Sequence, residues 1–329
     1  MGVLLAIENL SIAVDENATG EPLVKKVSLQ LEEGKTYGIV GESGSGKSLT
    51  SLSILNLLAD KLTITEGQIQ FADKGNLLSL KKNQLQKIRG NEISMIFQEP
   101  MTALDPMYTI QYQLFEILKF HKKITKQQMH EQVIHMLNAV GISRPEKVLK
   151  NYPHELSGGM RQRIMIAMAL LCNPKLLIAD EPTTALDVTI QAQILELMKN
   201  LKQQYQSTIL LITHDLGVIA ESCDDVAVMY AGQIVEIGNV MEIFDNPKHP
   251  YTQGLLKAVN SIGNEMQELY AISGNVPTQD ELNEGCRFAS RCPLVVENCL
   301  NHVPSIKRIS QSHTVRCWVV EQEGISNEA

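Results

Sequence analysis

The 329-residue sequence has few aromatic residues, no long apolar run and no block of basic residues. The longest apolar stretch, residues 164–172, is far shorter than the 18 or so residues that a membrane-spanning helix needs. A formal net charge of −8 disfavours nucleic acid as a partner. The first residues lack the basic region of a signal peptide and the Ser or Thr of a myristoylation site. We therefore expect a cytosolic protein.

A glycine-rich segment, residues 41–48, lies between an apolar run at 37–40 and a predicted helix at 49–58. Its glycines, lysine and serine have the spacing of a phosphate-binding P-loop, in which backbone N–H groups turn toward a phosphate. Lys47 would reach the β- and γ-phosphates, and the Ser48 hydroxyl would ligate Mg²⁺. The predicted nucleotide-binding residues here are Gly41, Ser43, Gly44, Ser45, Gly46, Lys47, Ser48 and Leu49. The segment predicts a nucleotide site and does not say what the nucleotide drives.

A second apolar run, residues 176–179, ends in two carboxylates, Asp180 and Glu181. An acidic strand end by itself is usually a solvated loop start. In a P-loop protein, however, Asp180 holds Mg²⁺ directly or through water, and Glu181 polarises the attacking water. The two segments together predict ATP hydrolysis.

The segment Leu156-Ser157-Gly158-Gly159-Met160 resembles the Leu-Ser-Gly-Gly-Gln signature of the ATP-binding-cassette (ABC) ATPases, with Met160 in place of Gln. Ser157 and the N–H groups of Gly158 and Gly159 would form an anion site at a helix N-terminus. In the family, this site meets the γ-phosphate bound by the opposite subunit. The resemblance therefore implies that catalysis needs a dimer.

The same resemblance assigns roles to three more residues. It implies that Gln98 touches Mg²⁺ or the water, that Asp187 links the two sites of the dimer, and that His214 reaches the γ-phosphate. Two positions depart from the family. Val14 stands where an aromatic residue usually stacks on adenine, which could weaken ATP binding roughly tenfold to a hundredfold. Leu49 stands where many members have a threonine hydroxyl on the α-phosphate.

Hydrophobic periodicity agrees with an α/β P-loop NTPase (ABC ATPase) core. It predicts strands within 3–40 and at 67–71, 92–97, 175–179 and 208–213, amphipathic helix over 101–152, helices from 158 and over 188–205, and a hairpin at 226–237. We expect residues 1–245 to form the nucleotide-binding domain, with an antiparallel β subdomain and an α-helical subdomain at about 99–157. Residues 246–329 would form a small cysteine-rich, metal-binding or regulatory domain.

Four of the six cysteines, Cys286, Cys292, Cys299 and Cys317, lie within 32 residues at C-x₅-C-x₆-C-x₁₇-C spacing. In a cytosolic chain such a cluster favours a metal site over disulfides. Four thiolates can hold a [4Fe–4S] cluster, and His302 or His313 could complete a Zn²⁺ site instead. Unliganded thiols are the third reading, and spacing alone leaves all three open.

Residues 249–256, 285–288 and 291–293, together with 152–163, resemble dipeptide and oligopeptide importer ATPases. The resemblance implies a peripheral ATPase on the cytoplasmic face of a bacterial membrane, and in members with the four cysteines it implies the iron–sulfur cluster. It also implies several partners: a related but distinct second ATPase, two transmembrane permease subunits that contact residues 101–152, and indirectly an extracytoplasmic substrate-binding protein. A nickel or metallophore importer is the closer alternative. A soluble ABC ATPase of DNA repair or translation is the alternative of another class.

Overall fold

The computed structural model describes residues 2–14, 21–98, 103–183, 188–262, 270–282 and 284–320. The chain divides into two compact units. The first contains Glu32–Lys35 and Ser79–Leu211, and the second contains Gly2–Leu31, Thr36–Leu78 and the described residues from Ile212 onward. Within the described ranges, every helix is too short or too polar to span a bilayer.

The order of elements alternates between strands and helices through the middle of the chain. The strands are β1 (Val3–Val14), β2 (Val24–Glu32), β3 (Thr36–Val40), β4 (Leu62–Phe71), β5 (Gly75–Asn76), β6 (Ile93–Ile96), β7 (Leu176–Asp180), β8 (Thr208–Thr213), β9 (Asp225–Tyr230), β10 (Gln233–Asn239), β11 (Ile306–Arg308) and β12 (Thr314–Arg316). The α-helices are α1 (Lys47–Ile54), α2 (Lys82–Ile88), α3 (Ile110–His121), α4 (Lys126–Ala139), α5 (Pro145–Val148), α6 (Gly158–Leu170), α7 (Val188–Tyr205), α8 (Leu216–Ser222), α9 (Val240–Asp245), α10 (Pro250–Ile262) and α11 (Glu297–Asn301).

In the first unit, β7 lies between β6 and the first residues of β8, 208–211. Strands β6 and β7 are parallel, with Ile93 opposite Leu176 and Ile96 opposite Ala179. Every residue of the three strands is buried. Because a parallel strand is covered on both faces, it reads as a continuous apolar run without alternation. The predicted strands at 92–97, 175–179 and 208–213 are confirmed, within a residue or two at their ends.

The predicted amphipathic region of the first unit contains helices α3, α4 and α5. Thr125 caps α4: its hydroxyl accepts the Gln128 N–H, and the Gln128 side chain accepts the Thr125 N–H, in a capping box. Leu114 and Leu118 of α3 and Leu137 of α4 are at most 1% exposed, so each helix buries one face. The helical prediction is confirmed over these segments, and residues 101 and 102 lie outside the described ones.

The second unit contains an antiparallel sheet with strand order β2-β1-β4-β5. Strand β4 is antiparallel to both β1 and β5. The β1–β4 register shifts between Glu8 and Ser11, beside Gly67 of β4. Gly67 has a φ of 97°, and a Cβ there would lie 2.6 Å from the Glu8 carbonyl oxygen. The close approach of the two backbones at this irregularity therefore requires glycine.

A second sheet of this unit has the order β11-β12-β10-β9-β3. Strand β3, which leads into the P-loop, is parallel to β9, with Tyr37 opposite Asp225. Strands β9 and β10 form the predicted hairpin, and its turn residues Ala231 and Gly232 have φ values of 42° and 80°. Two consecutive positive φ angles are typical of a type I′ turn, which matches the twist of the flanking strands.

The residues beyond 245 share a hydrophobic core with the strands of the second unit. Tyr230 of β9 packs edge-on against Tyr251 of α10 at 4.7 Å and against Phe288 at 5.1 Å between ring centroids. The described C-terminal residues also continue the sheet, because β12 pairs with β10. The separate small domain expected for the cysteine-rich region is thus not shown.

Candidate functional site

The predicted P-loop leaves β3 at Gly41 and ends in the first turn of α1. A Cβ on Gly41 would lie 2.0 Å from the Met229 carbonyl oxygen, so the loop starts against the backbone of β9. Gly44 and Gly46 have φ values of 78° and 95°. These glycines allow a conformation that other residues adopt only with strain, and the loop backbone can turn around a phosphate.

Lys47 is folded into this loop and is only 5% exposed. Its Nζ donates to the carbonyl oxygens of Gly41 at 2.8 Å and Glu42 at 2.9 Å. The ammonium therefore lies at the loop's own backbone, where a bound phosphate would meet a partly desolvated positive charge. Ser43 and Gly44 are exposed at the tip, Ser45 is buried, and Ser48 and Leu49 are half-buried in α1.

The C-terminal region contacts the P-loop at Glu42. Arg291 donates from Nη1 to Glu42 Oε2 at 2.6 Å and from Nη2 to Oε1 at 3.1 Å, a bidentate pair. Burial lowers the pKa of Arg291, but its hydrogen bonds to Glu42 and Tyr230 outweigh that effect and raise it above the ordinary value. The Tyr251 hydroxyl accepts the Glu42 N–H at 2.9 Å. The sequence analysis assigned no role to Tyr251 or Arg291, and each lies more than 200 positions from Glu42.

A second arginine, Arg287, holds the β9–β10 turn. Its guanidinium donates to the Ala231 carbonyl oxygen and, at 2.9 Å, to a Glu21 carboxylate oxygen. This β9–β10 turn also contacts the P-loop, because the Gly232 N–H donates to the Ser45 carbonyl oxygen at 2.8 Å. Burial lowers the pKa of Arg287, and the pair with Glu21 partly compensates.

His214, the other predicted site residue of the second unit, directly follows β8 and is exposed. The next residue, Asp215, caps α8 by accepting the Gly217 N–H at 2.8 Å and the Val218 N–H at 3.3 Å. The end of the strand and the helix cap therefore fix the backbone on both sides of His214. Val14 ends β1 and is 39% exposed.

In the first unit, the structure brings two predicted catalytic residues together. Gln98, which follows β6, donates from Nε2 to Glu181 Oε2 at 3.0 Å. Asp180 is the last residue of β7 and is 4% exposed. Glu181 has a φ of 46°, in the left-handed region, where a non-glycine residue stores backbone strain. This bend turns the Glu181 carboxylate toward Gln98, while Asp180 stays at the strand end.

The signature segment forms the N-terminus of α6. The Ser157 hydroxyl accepts the Met160 N–H at 3.3 Å, and its carbonyl oxygen accepts the Arg161 N–H. Ser157 and Gly158 are exposed, and a Cβ on Gly158 would meet no atom within 4 Å. The start of α6 is therefore open to a ligand, as an anion site requires. Asp187 lies outside the described residues.

A further residue of α6 was missed by the sequence analysis. Gln162 is 1% exposed and donates through Nε2 to the carbonyl oxygen of Pro182. This hydrogen bond ties the signature helix to the residue that follows Glu181. A glutamine inside a helix carries no pattern that would indicate such a contact.

The four clustered cysteines are all free thiols in the described structure. The Cys286 N–H donates to the Cys299 carbonyl oxygen at 2.8 Å, so two of them lie side by side. Burial, with smaller contributions from neighbouring cysteines, raises the pKa of Cys286 to about 12 and that of Cys292 to about 11. Burial likewise raises the pKa of Cys317. A metal-binding cysteine is a thiolate, so a metal would have to displace these protons.

The metal prediction at these cysteines is not supported. Across the described residues, no three His, Cys, Asp or Glu side chains come together as a group that could hold a metal ion. Thiolates suit zinc or an iron–sulfur cluster, but the described side chains form no group of that kind. His313, one candidate ligand of the zinc alternative, has its Nε2 2.7 Å from Glu236 Oε1 in a buried pair.

Comparisons with known proteins agree with the geometry. Residues 24–184 match the ABC transporter family, and residues 235–299 match the C-terminal region of oligopeptide/dipeptide transporters. The chain is 52% identical over 325 residues to the oligopeptide transport ATP-binding protein AppD of Bacillus subtilis, covering 98% of this chain and 99% of that protein. It is 49% identical over 323 residues to the dipeptide transport ATP-binding protein DppD of the same organism, covering 98% and 96%.

Solved structures extend the comparison to the fold. A dimeric ATP-binding cassette in a post-hydrolysis state with ADP and Pi shares 27% identity at a TM-score of 0.63, over 72% of this chain and 99% of that one. CbiO1 from Clostridium perfringens, part of an ABC transporter complex, shares 26% identity at a TM-score of 0.63, over 75% and 92%. With the P-loop, the signature and the matched C-terminal region, the chain belongs to the ABC transporter family, among the ATP-hydrolysing, ATP-binding subunits of oligopeptide and dipeptide importers.

Proposed function

We propose that this chain hydrolyses ATP on the cytoplasmic face of a bacterial membrane to drive import of dipeptides or oligopeptides. The observation that carries the proposal is the P-loop with Lys47 folded inside it, in a chain whose C-terminal region matches that of peptide transporters. We keep residue 245 as the boundary between the ATP-binding core, with its helical part at about 99–157, and the C-terminal region.

The P-loop residues would hold the phosphates through their backbone N–H groups and the Lys47 ammonium. Ser48, Asp180 and Gln98 offer the oxygen ligands that Mg²⁺ prefers. A bound Mg²⁺ would neutralise charge on the β- and γ-phosphates. Hydroxyl, carboxylate and amide oxygens are hard donors, the kind that Mg²⁺ binds.

Hydrolysis would use Glu181 as the base. Its carboxylate takes a proton from the water that attacks the γ-phosphorus, and ADP and phosphate leave. The hydrogen bond from Gln98 at 3.0 Å supports this role, because it fixes the direction of the carboxylate. His214 would donate to the γ-phosphate, and its exposed position after β8 leaves the ring accessible.

We further propose that the exposed start of α6 completes a nucleotide site on a second ATPase subunit, related to this chain but distinct from it. Ser157, Gly158 and Gly159 would contact the γ-phosphate there, and Asp187 would connect the two sites. The exposure of Ser157 and Gly158 supports this assignment, since an anion needs free access to the helix N-terminus.

Two membrane permease subunits would bind the helical region between 101 and 152. Its surface carries exposed apolar side chains, including Met107, which is 78% exposed, and Tyr108 and Tyr112, whose rings stack at 4.4 Å. Exposed apolar groups of this kind mark interaction surfaces. An extracytoplasmic binding protein would act on this chain only through the permeases.

Reconstitution tests the function directly. We expect this chain to co-purify with two permeases and a second ATPase, and to drive ATP-dependent uptake of labelled dipeptide or longer peptide into vesicles. K47A should abolish uptake, while K74A, at a solvent-exposed ion pair, should not. Uptake of chelated nickel instead of peptide would favour the metallophore importer. Stable binding to ribosomes or DNA without permeases would contradict the importer.

The metal site at Cys286, Cys292, Cys299 and Cys317 stays a prediction. Support comes from the closeness of two of these cysteines, since the Cys286 N–H donates to the Cys299 carbonyl oxygen at 2.8 Å. Anaerobic purification with metal and sulfide analysis is the test. Four iron and four sulfide per chain would establish the [4Fe–4S] cluster, stoichiometric zinc would establish the alternative, and a metal-free chain would reject both.

A further inference from the structure

The Glu42–Arg291 pair joins the P-loop to a residue 249 positions away. The Arg291 side chain is 5% exposed and that of Glu42 is 28% exposed. The pair is therefore shielded from solvent on the arginine side, where screening by water and salt is weak. Bidentate geometry also restricts the rotation of the carboxylate, which a single hydrogen bond does not.

Arg291 is itself held on several sides. Its Nε donates to the Ser273 carbonyl oxygen at 2.9 Å and its Nη2 to that of Ile272 at 3.3 Å. The guanidinium also lies 5.7 Å from the centre of the Tyr230 ring. Because the arginine is fixed by these contacts, it presents a stationary fork to the Glu42 carboxylate.

Glu42 in turn fixes atoms of the phosphate-binding loop. Its carbonyl oxygen accepts from Lys47 Nζ at 2.9 Å and from the Ser45 N–H at 3.2 Å. Its own N–H donates outward to Tyr251, so the peptide on the N-terminal side of Glu42 is held by the C-terminal region as well. A shift of the Glu42 backbone would therefore displace one of the two carbonyl oxygens that hold the Lys47 ammonium.

We propose that Arg291 is a positioning residue for nucleotide binding: through Glu42 it holds the P-loop and Lys47 in the geometry that receives the phosphates. Arg291 also neutralises the Glu42 carboxylate, which would otherwise repel the phosphate charges. The C-terminal region thereby becomes a part of the ATP-binding machinery. The proposal rests on the ATP binding that family membership establishes.

The test measures the affinity of the full chain for a fluorescent ATP analogue (mant-ATP) with Mg²⁺, alongside urea unfolding. We expect R291A to weaken binding about tenfold, since it releases the loop and leaves the Glu42 charge unpaired, a free-energy change of about 1.4 kcal/mol. E42A should weaken binding only about threefold, because the charge left behind is the positive Arg291, which does not repel the phosphates. The double variant R291A/E42A should match E42A, so the second substitution partly rescues the first. R291K, which keeps the charge and loses the fork, should fall between wild type and R291A.

R316A is the matched control. Arg316 lies in the same C-terminal region and donates to the carbonyl oxygens of Ile234 at 3.3 Å and Pro304 at 3.2 Å. It should lower stability and leave nucleotide affinity within twofold of wild type. Salt should narrow the difference between R291A and wild type, because the unpaired Glu42 carboxylate of R291A is partly exposed and open to screening.

Several results would overturn the proposal. These are a folded R291A with wild-type affinity, an R316A that binds as weakly as R291A, or a double variant no better than R291A. If R291A fails to fold, E42A and R291K decide the question, and wild-type affinity in both would overturn it. Absence of mant-ATP binding by the wild-type chain would instead refute the ATP-binding function, and the positioning role with it.

Discussion

Replacement of His313 by alanine should destabilise the second unit by removing the partner of a buried carboxylate. Glu236 of β10 is 1% exposed and His313 is 2% exposed. His313 Nε2 lies 2.7 Å from Glu236 Oε1, and the N–H groups of Lys248 at 2.6 Å and His249 at 3.0 Å also donate to this carboxylate. The network joins β10 to the start of α10 and to the strand β12, so its loss affects how the C-terminal residues are held.

The expected magnitude follows from what remains in H313A. Removing the partner of a buried carboxylate costs about 3–5 kcal/mol when its charge is left without any partner. Here two backbone donors still bind Glu236, so we expect the lower limit, about 3 kcal/mol of the free energy of unfolding. Equilibrium urea unfolding of the full chain measures it, with H135A at an exposed histidine of α4 as control, where a loss within about 0.5 kcal/mol is expected.

The pH dependence gives a second readout with a defined sign. Burial raises the pKa of Glu236, but its hydrogen bonds, of which that from His313 is the largest, outweigh burial and hold it below the ordinary 4.5. The stabilisation is therefore complete above pH 4.5 and is lost as the pH falls through the folded-state pKa. Without His313 that pKa rises, and H313A should begin to lose stability at a higher pH than wild type. An H313A chain as stable as wild type, with an unchanged acid transition, would refute this reasoning.

Two further predictions concern the P-loop and the helical region. G41A places a Cβ 2.0 Å from the backbone carbonyl oxygen of Met229. We expect the free energy of unfolding in urea to fall by about 3 kcal/mol and the affinity for mant-ATP to fall clearly. Wild-type values for both would contradict the close approach of the loop to β9. T125A removes the acceptor of the Gln128 N–H at the start of α4. It should lower the free energy of unfolding by about 1 kcal/mol, while T125S, which keeps a hydroxyl, should lower it little. An equal loss in both variants would exclude the helix cap as the cause.

Elements with strong local signals were predictable from the sequence. Helix 188–205 and strand 208–213 match the predicted bounds, because periodicity and the intervening polar residues mark their ends. Strand β4 begins at Leu62, although the prediction began it at Gly67. There the sequence misled, because the glycine serves a close approach to β1 and does not start a strand. That approach depends on tertiary pairing and leaves no local pattern.

Some residues of the candidate site were likewise predictable from the sequence, and others were not. The P-loop and the signature were predictable because each needs glycines or a helix-capping residue at fixed positions in the sequence. The Glu42–Arg291 pair was not, because an ion pair across 249 residues has no sequence period. The separate cysteine-rich domain was expected from weakened periodicity beyond 245, but Tyr251 and Phe288 are apolar anchors for the core around Tyr230. Short irregular segments can share a core through a few aromatic side chains, and composition alone does not reveal this.

The most direct test of the account is ATP turnover by E181Q, with mant-ATP binding measured on the same preparation. Glutamine keeps the size of Glu181 and an acceptor for the Gln98 side chain but does not take up a proton. We predict wild-type affinity for the nucleotide and a turnover reduced about a hundredfold or more, as expected for loss of a general base. Near-normal turnover in E181Q would contradict the assignment of Glu181 and the hydrolytic mechanism built on it.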